Sequence, residues 1–285
     1  MSHQSSKTLK VLVVISVYPP YYVGGYELGC KEVVEHLRKR GHNVLVVTST
    51  YGVGERVMEG GVWRVMVGFI SERFDNKISY FWHLLRREII NRYYFFKAVR
   101  EFEPDVIYLW AILHLSSSVM FWANETRRRV VYFISDKWMA EWKNESWYRL
   151  WNSSKASGVR KGIGKLLNIF GLAKVSEPKF QAVGFCSNYI RQVTLESGVR
   201  VENHEVIHWG VQVEQYGPSN KDAKKILFAG QCLPHKGIET AIRGIYHLKS
   251  KLGITDVVLT VAGGSLDKQY YERIRALARR VGIAE

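Results

Sequence analysis

Cysteine and proline are both scarce in this chain of 285 residues, which carries three of the first and six of the second. Cys30, Cys186 and Cys232 lie far apart and form neither a disulfide framework nor a CxxC pair, so they read as reduced, buried thiols of a cytosolic protein. Long apolar runs are missing too. Nothing approaches the roughly 18 residues of a membrane span. "LKVLVVISV", near the start, has no small-residue cleavage site after it, and reads as a buried strand and not as a signal peptide. The sequons at Asn124, Asn144 and Asn152 mean nothing without secretion. Acidic residues are in the minority, 26 Asp and Glu against 41 Lys and Arg, for a net charge of +15. That excess suits an anionic partner, whether nucleic acid, anionic lipid or a phosphorylated ligand. With no zinc knuckle, RNA-recognition signature or basic low-complexity tail, nucleic acid is not expected.

What is present is an ordinary globular mixture, 47% hydrophobic and 24% charged, with ample material for a core. The apolar pattern alternates between strand and helix. Val11 to Val17 is a β-branched run suited to a strand covered on both faces. Tyr26 to Arg40 follows at helical spacing and Gly41 ends it, before a second strand at Val44 to Val47. "NRYYFFKAVREFEPDVIYLW" predicts a helix stopped by Pro104 and then a strand. Further strands are expected at Val130 to Ile134 and in "FQAVGFCS", and "NYIRQVTLESG" predicts a helix. The pattern restarts with strands at Ile226 to Ala229 and Val257 to Ala262, and helices at Gly237 to Lys251 and Gln269 to Val281. Strands alternating with helices give an α/β class with parallel sheets. We expect two Rossmann-like units, residues 1–215 and 216–285, with Gly217, Pro218, Ser219 and Asn220 in the linker. The second contains about half the elements of a doubly wound domain, and the sequence stops where its third strand is due.

Two loops follow the first strands of these units, where open α/β sheets bind ligands. In "PPYYVGGYELGC" the glycines Gly24, Gly25 and Gly29 do not have the G-x-G-x-x-G spacing of a dinucleotide fingerprint. An adjacent pair at a helix start still lets backbone approach an anion closely; the alternative is a tight turn that needs positive φ. In "FAGQCLPHKGIETA", Gly230 ends a strand and Lys236-Gly237 opens a helix. A lysine there adds a point charge to the positive end of the helix dipole, a combination suited to holding phosphate; the alternative is a solvated surface residue.

Together these stretches make the sequence resemble the nucleotide-sugar glycosyltransferases of the two-Rossmann-domain (GT-B) type, family 4. The family's GG-x-E is matched by Gly24, Gly25 and Glu27. Its serine-led helix and "V-I-x-x-G-V" turn are matched by "FCSNYIRQVTLESG" and "VIHWGV", with Trp209 where asparagine is common. Its G-R-x-x-x-x-K-G is matched by Gly230, Lys236 and Gly237, with Gln231 in place of arginine. The resemblance implies a nucleoside-diphosphate sugar as donor, its diphosphate held by Gly24, Gly25, Gly230, Gln231, Lys236 and Gly237, and transfer of a hexose with retention of configuration. It implies no metal or organic cofactor, a glycan or lipid-linked acceptor in cell-surface polysaccharide synthesis, and a setting in the cytoplasm or peripheral on the inner membrane face. The family's donor-positioning glutamate pair lies beyond the region that this sequence covers, which suggests a C-terminal domain cut short. The alternative is a catalytically silent nucleotide-binding or interaction protein.

On the acceptor side the family often has a His-Asp pair after the strand that ends at Ile134. Ser135 replaces the histidine here and Asp136 matches the aspartate, as a base or hydroxyl-orienting group; a helix N-cap is the structural alternative. Trp138, Trp142, Trp147 and Trp151 follow, suited to stacking on sugar rings or to plain packing. Arg149, Lys155, Arg160, Lys161 and Lys165 make a basic stretch that fits an anionic membrane surface or a solvated face. Finally, "HEVIH" (His204 to His208) has the zinc-protease spacing, which works only on a helix. Central Val206 and Ile207, with Gly210 soon after, favour a strand entering a turn, so no metal site is expected there.

Overall fold

Val11, Leu12, Val13 and Val14 have no face that could be left wet, and they form the centre of the first sheet. In this computed structural model the described residues are 7–68, 76–112, 114–154, 156–174, 177–211, 213, 217, 222–265 and 267–283. Lys155 and the expected linker residues Pro218, Ser219 and Asn220 lie outside them. The chain divides into two compact units, Met1–Gly210 and Val211–Glu285.

The first unit runs β1 (Lys10–Val14), α1 (Gly25–Lys39), β2 (Asn43–Ser49), β3 (Val57–Glu59), β4 (Val62–Met66), α2 (Lys77–Phe102), β5 (Val106–Leu109), α3 (Ser118–Glu125), β6 (Arg129–Ile134), α4 (Ser146–Asn152), α5 (Gly158–Ile169), β7 (Phe180–Phe185), α6 (Asn188–Glu196) and β8 (Val201–Val206). Its sheet has the order β3-β4-β2-β1-β5-β6-β7-β8 and is parallel except for the β3–β4 pair. Alternation along β1 sends Leu12 and Val14 into one core with Leu45, Phe95 and Ile107. Val11, Val13 and Ile15 enter another on the opposite face with Cys30, Val34 and Val46. α1 covers the second face and α2 the first.

Three local features differ from the expected pattern. The first strand ends at Val14, three residues early, although Ile15 and Ser16 still donate to the carbonyls of Val47 (3.2 Å) and Ala111 (2.8 Å) on its two sides. β3 and β4 were not foreseen; Gly60 and Gly61, both at positive φ, form the two-residue turn that joins them. The tryptophans Trp138, Trp142, Trp147 and Trp151 are all buried, so they pack the core and do not offer faces to a sugar.

The second unit contains β9 (Lys225–Ala229), α7 (Ile238–Lys251), β10 (Val258–Ala262) and α8 (Lys268–Arg280). β9 and β10 are parallel partners. Ile238, Ile242, Tyr270, Ile274 and Leu277 form its core. Leu227, Val258 and Val261 on the strands stay exposed. Among the described residues no helix is long and apolar enough to cross a membrane.

Candidate functional site

The chain places β2 on one side of β1 and later β5 on the other, a topological switch point of the kind at which open α/β sheets bind ligands beyond the strand ends. The loop after β1 lies there, held from three sides. Arg64 on β4 donates to the carbonyls of Tyr18 (2.8 Å) and Pro19 (2.6 Å). Tyr21 packs so closely on Gly52 that any Cβ there would fall 2.2 Å from its ring. The Glu27 carboxylate accepts from the Gly24 N–H at 2.8 Å and from Val23 at 3.3 Å, reaching back from the first turn of α1 in a capping box.

The glycine pair sits in this held loop without any backbone need for glycine. Gly24 is extended (φ −158°, ψ −164°) and neither member belongs to the positive-φ residues, so the tight-turn alternative fails. A Cβ on Gly25 would meet nothing within 4 Å, and one on Gly24 only the Glu27 carboxylate at 4.0 Å. The space beside the pair is open, and the first-turn N–H groups of α1 have no intrahelical acceptor. Gly29 has a different role. A Cβ there would lie 1.9 Å from the ring of Trp209, which also meets Tyr26, Trp110 and Phe133 at centroid separations of 6.2, 6.0 and 5.0 Å.

Tyr26 links this loop to the end of β6. Its hydroxyl donates to the Phe133 carbonyl and accepts from the Trp138 indole N–H at 3.5 Å. Asp136 stands at that strand end and caps the short 3-10 turn Lys137–Met139, accepting from Trp138 N–H at 2.9 Å. The capping alternative is therefore realised, and it occupies one carboxylate oxygen. Desolvation raises the Asp136 pKa, opposed by that hydrogen bond and by His114, with Glu141 adding to the rise. His114, in the loop after β5, was not foreseen. Its side chain reaches solvent, yet surrounding protein lowers its pKa, against the opposing carboxylates of Asp136 and Glu27. The structure thus places Gly24, Gly25, Glu27 and Asp136 at the carboxyl ends of the interior strands β1 and β6, with His114 and Trp209 in neighbouring loops. The available sequence signal for His114 was its place just past the "VIYLW" strand.

In the second unit, Gly230 (φ +142°) and Gly237 (φ +80°) both take backbone angles reserved for glycine. Gly230 N–H bonds Ala262 O at 2.9 Å and Cys232 N–H bonds Gly264 O at 2.8 Å, which fixes the loop after β9 against the end of β10. Lys236 ends a 3-10 turn (Pro234–Lys236) one residue before Gly237, the N-cap of α7. It is exposed, and Gln231 is half-buried. Gly230, Gln231, Lys236 and Gly237 thus form one continuous loop at the carboxyl end of β9.

The zinc spacing is dispersed by the strand. His204 lies within β8, while His208 lies beyond it, its Nδ1 3.1 Å from the Cys186 carbonyl. The two histidines share no helix face.

Residues 23–215 match the Glycosyltransferase Family 4 profile, a span that starts just before the glycine pair and takes in Asp136 and Trp209. The chain belongs to glycosyltransferase family 4. An uncharacterised 42.6 kDa protein in the cps region of Klebsiella pneumoniae is 24% identical over 217 residues, 67% of this chain and 52% of that protein. The chain therefore spans about half the length of that curated relative. Among solved structures, sucrose-phosphate synthase from Thermosynechococcus elongatus superposes with a TM-score of 0.55 at 12% identity, over 95% of this chain and 73% of that one. The UDP-forming α,α-trehalose-phosphate synthase from Burkholderia xenovorans, in complex with glucose-6-phosphate, gives 0.55 at 11% identity, over 95% and 70%. These likenesses establish the GT-B fold of this family 4 member.

Proposed function

We propose that this family 4 chain transfers a hexose from a nucleoside-diphosphate sugar to a glycan or lipid-linked acceptor, with retention of configuration, in cell-surface polysaccharide synthesis on the cytoplasmic side. One observation carries the reading: Gly24 and Gly25 have no conformational reason to be glycine, yet they keep the space above a held helix N-terminus empty. A diphosphate is the ligand class that uses such a space, because backbone must come close to it and N–H groups must point at it. The likeness to a UDP-forming synthase and the relative in a cps region support donor and setting.

In this reading the loop Gly230 to Gly237 of the second unit binds donor phosphate in its own right. Lys236 and the α7 N-terminus neutralise the charge that develops on the leaving diphosphate, which lowers the barrier where the charge appears. Gln231 can donate a hydrogen bond but no charge. Asp136, with His114 beside it, orients the acceptor hydroxyl or takes its proton. No metal enters this scheme, and EDTA is expected to leave transfer unchanged.

Calorimetric titration of UDP-, GDP- and ADP-sugars tests the assignment. Gly25→Val and Lys236→Ala should each weaken the preferred donor by at least about tenfold, the loss of one close or charged contact, with unchanged thermal melts. Parent-like affinity in both variants would sink it. Donor binding without turnover on any glycan or lipid-linked acceptor would favour the silent nucleotide-binding protein.

A further inference from the structure

Between Ser146 and Ser176 the sequence carries Arg149, Lys155, Arg160, Lys161, Lys165 and Lys174 and not one carboxylate. α5 lies in this run. It turns Gly164 inward, where a Cβ would sit 3.1 Å from Trp151. Its other side carries Val159, Ile163, Leu166 and, one residue past its end, Phe170. Spacings of four, three and four residues put these on one narrow stripe. A helix of a monomeric protein normally shows polar groups there, but these side chains are 76%, 46%, 56% and 63% exposed. Arg160 and Lys165 flank the stripe on its two sides, one residue after Val159 and one before Leu166. Beside the helix opens a groove of about 780 Å³, with Phe81, Leu84 and Leu150 on its walls and Lys77, Arg149 and Arg160 among its lining.

We propose that α5 docks the first unit on an anionic lipid bilayer. An uncovered apolar stripe with cationic flanks is the pattern of a helix lying in the membrane interface. Val159, Ile163, Leu166 and Phe170 enter the boundary between headgroups and acyl chains, while Arg160 and Lys165 extend to anionic headgroups. Charge selects a lipid surface over a second copy of this chain, because two copies would bring like charges of a carboxylate-free segment together. The proposal does not depend on glycosyl transfer: vesicle binding needs neither donor nor acceptor.

Flotation of the full chain with vesicles tests it. Binding is expected to phosphatidylglycerol–phosphatidylcholine vesicles, to be weak on phosphatidylcholine alone, and to fall with salt. Each basic residue near such a surface contributes about fivefold to partitioning, so Arg160→Glu/Lys165→Glu should lose at least about twenty-five-fold. Leu166→Asp/Phe170→Asp should lose at least about tenfold, because the stripe no longer inserts. Ile89→Asp, at an exposed apolar site on α2, should bind as the parent does. Circular dichroism should show all three variants folded. Absence of binding by the parent overturns the proposal. So does retained binding by Leu166→Asp/Phe170→Asp, which would reduce the contact to surface charge. A parent dimer that Leu166→Asp/Phe170→Asp dissociates, without vesicle binding, would show that the stripe is an interface between copies.

Discussion

Gly29, the last glycine of "GGYELG", should answer alanine substitution through Trp209. Gly29 lies in the interior of α1, where alanine is intrinsically better by about 1 kcal/mol. At this position the three nearest atoms to a new Cβ all belong to the Trp209 ring, at 1.9, 2.4 and 2.9 Å. The ring cannot stay. Swinging out, it abandons Tyr26, Trp110 and Phe133, and each aromatic contact contributes about 0.5–1.5 kcal/mol beyond area burial. The net expectation is a loss of about 1–3 kcal/mol after the helix gain, with roughly 2–4 °C of melting temperature per kcal/mol in a domain of this size. Tryptophan emission should shift to the red as Trp209, already 42% exposed, becomes fully wet. The decisive step is a double-mutant cycle. In a Trp209→Ala background the obstacle is gone, and Gly29→Ala should become neutral or stabilising. Chemical denaturation of the four proteins measures it. If Gly29→Ala has the same sign with and without Trp209, the steric account of that glycine is wrong.

Three further outcomes follow from the geometry. Asp136→Asn keeps an oxygen that can accept from Trp138 N–H, so stability should stay within about 0.5 kcal/mol while transfer falls by about a hundredfold or more; unimpaired transfer would remove Asp136 from the chemistry. Glu88 is buried and shares Arg87 (3.0 Å) with Glu145 (2.7 Å), and desolvation raises its carboxyl from 4.5 to about 7. Between those values the folded chain keeps a proton that the unfolded chain has released. Stability should therefore decline as pH rises through that window, by a few kcal/mol at most, and denaturation curves of Glu88→Gln should lose the slope. Hydrogen exchange should be faster in β9 and β10 than in β1 and β5, because exposed Leu227 and Val258 leave one side of that pair uncovered.

Strands and helices were legible wherever burial is two-sided or strictly one-sided. Val11–Val14, Val44–Val47 and Val130–Ile134 lie in continuous apolar runs, and a parallel sheet covered on both faces demands such runs. The edge hairpin was not legible, because β3 and β4 are short and half-exposed; only the Gly60-Gly61 turn marked them. The first half of α2 escaped for another reason. Ile78 and Trp82 are 71% and 61% exposed, and this obscures the one-sided pattern by which an amphipathic helix is recognised. Gly24, Gly25, Glu27 and Asp136 are legible as candidates because each belongs to a short motif at a strand end, and Trp209 stands out as a departure within one. His114 is not, since its neighbours depend on which strand ends become adjacent, and the strand order around β5 decides that.

The glycine pair is the point at which structure changes the chemical argument most. Had Gly24 or Gly25 required positive φ, the motif would explain itself as a turn and imply nothing about a ligand. Their ordinary angles leave space as the remaining reason, and the carboxylate beneath them limits what can fill it. Glu27 is buried and already satisfies two of the loop's N–H groups. Its negative charge offsets part of the helix dipole, roughly half an elementary charge. The loop therefore offers a fitted backbone surface with little net positive potential of its own. An anion bound there needs a cation from outside the loop.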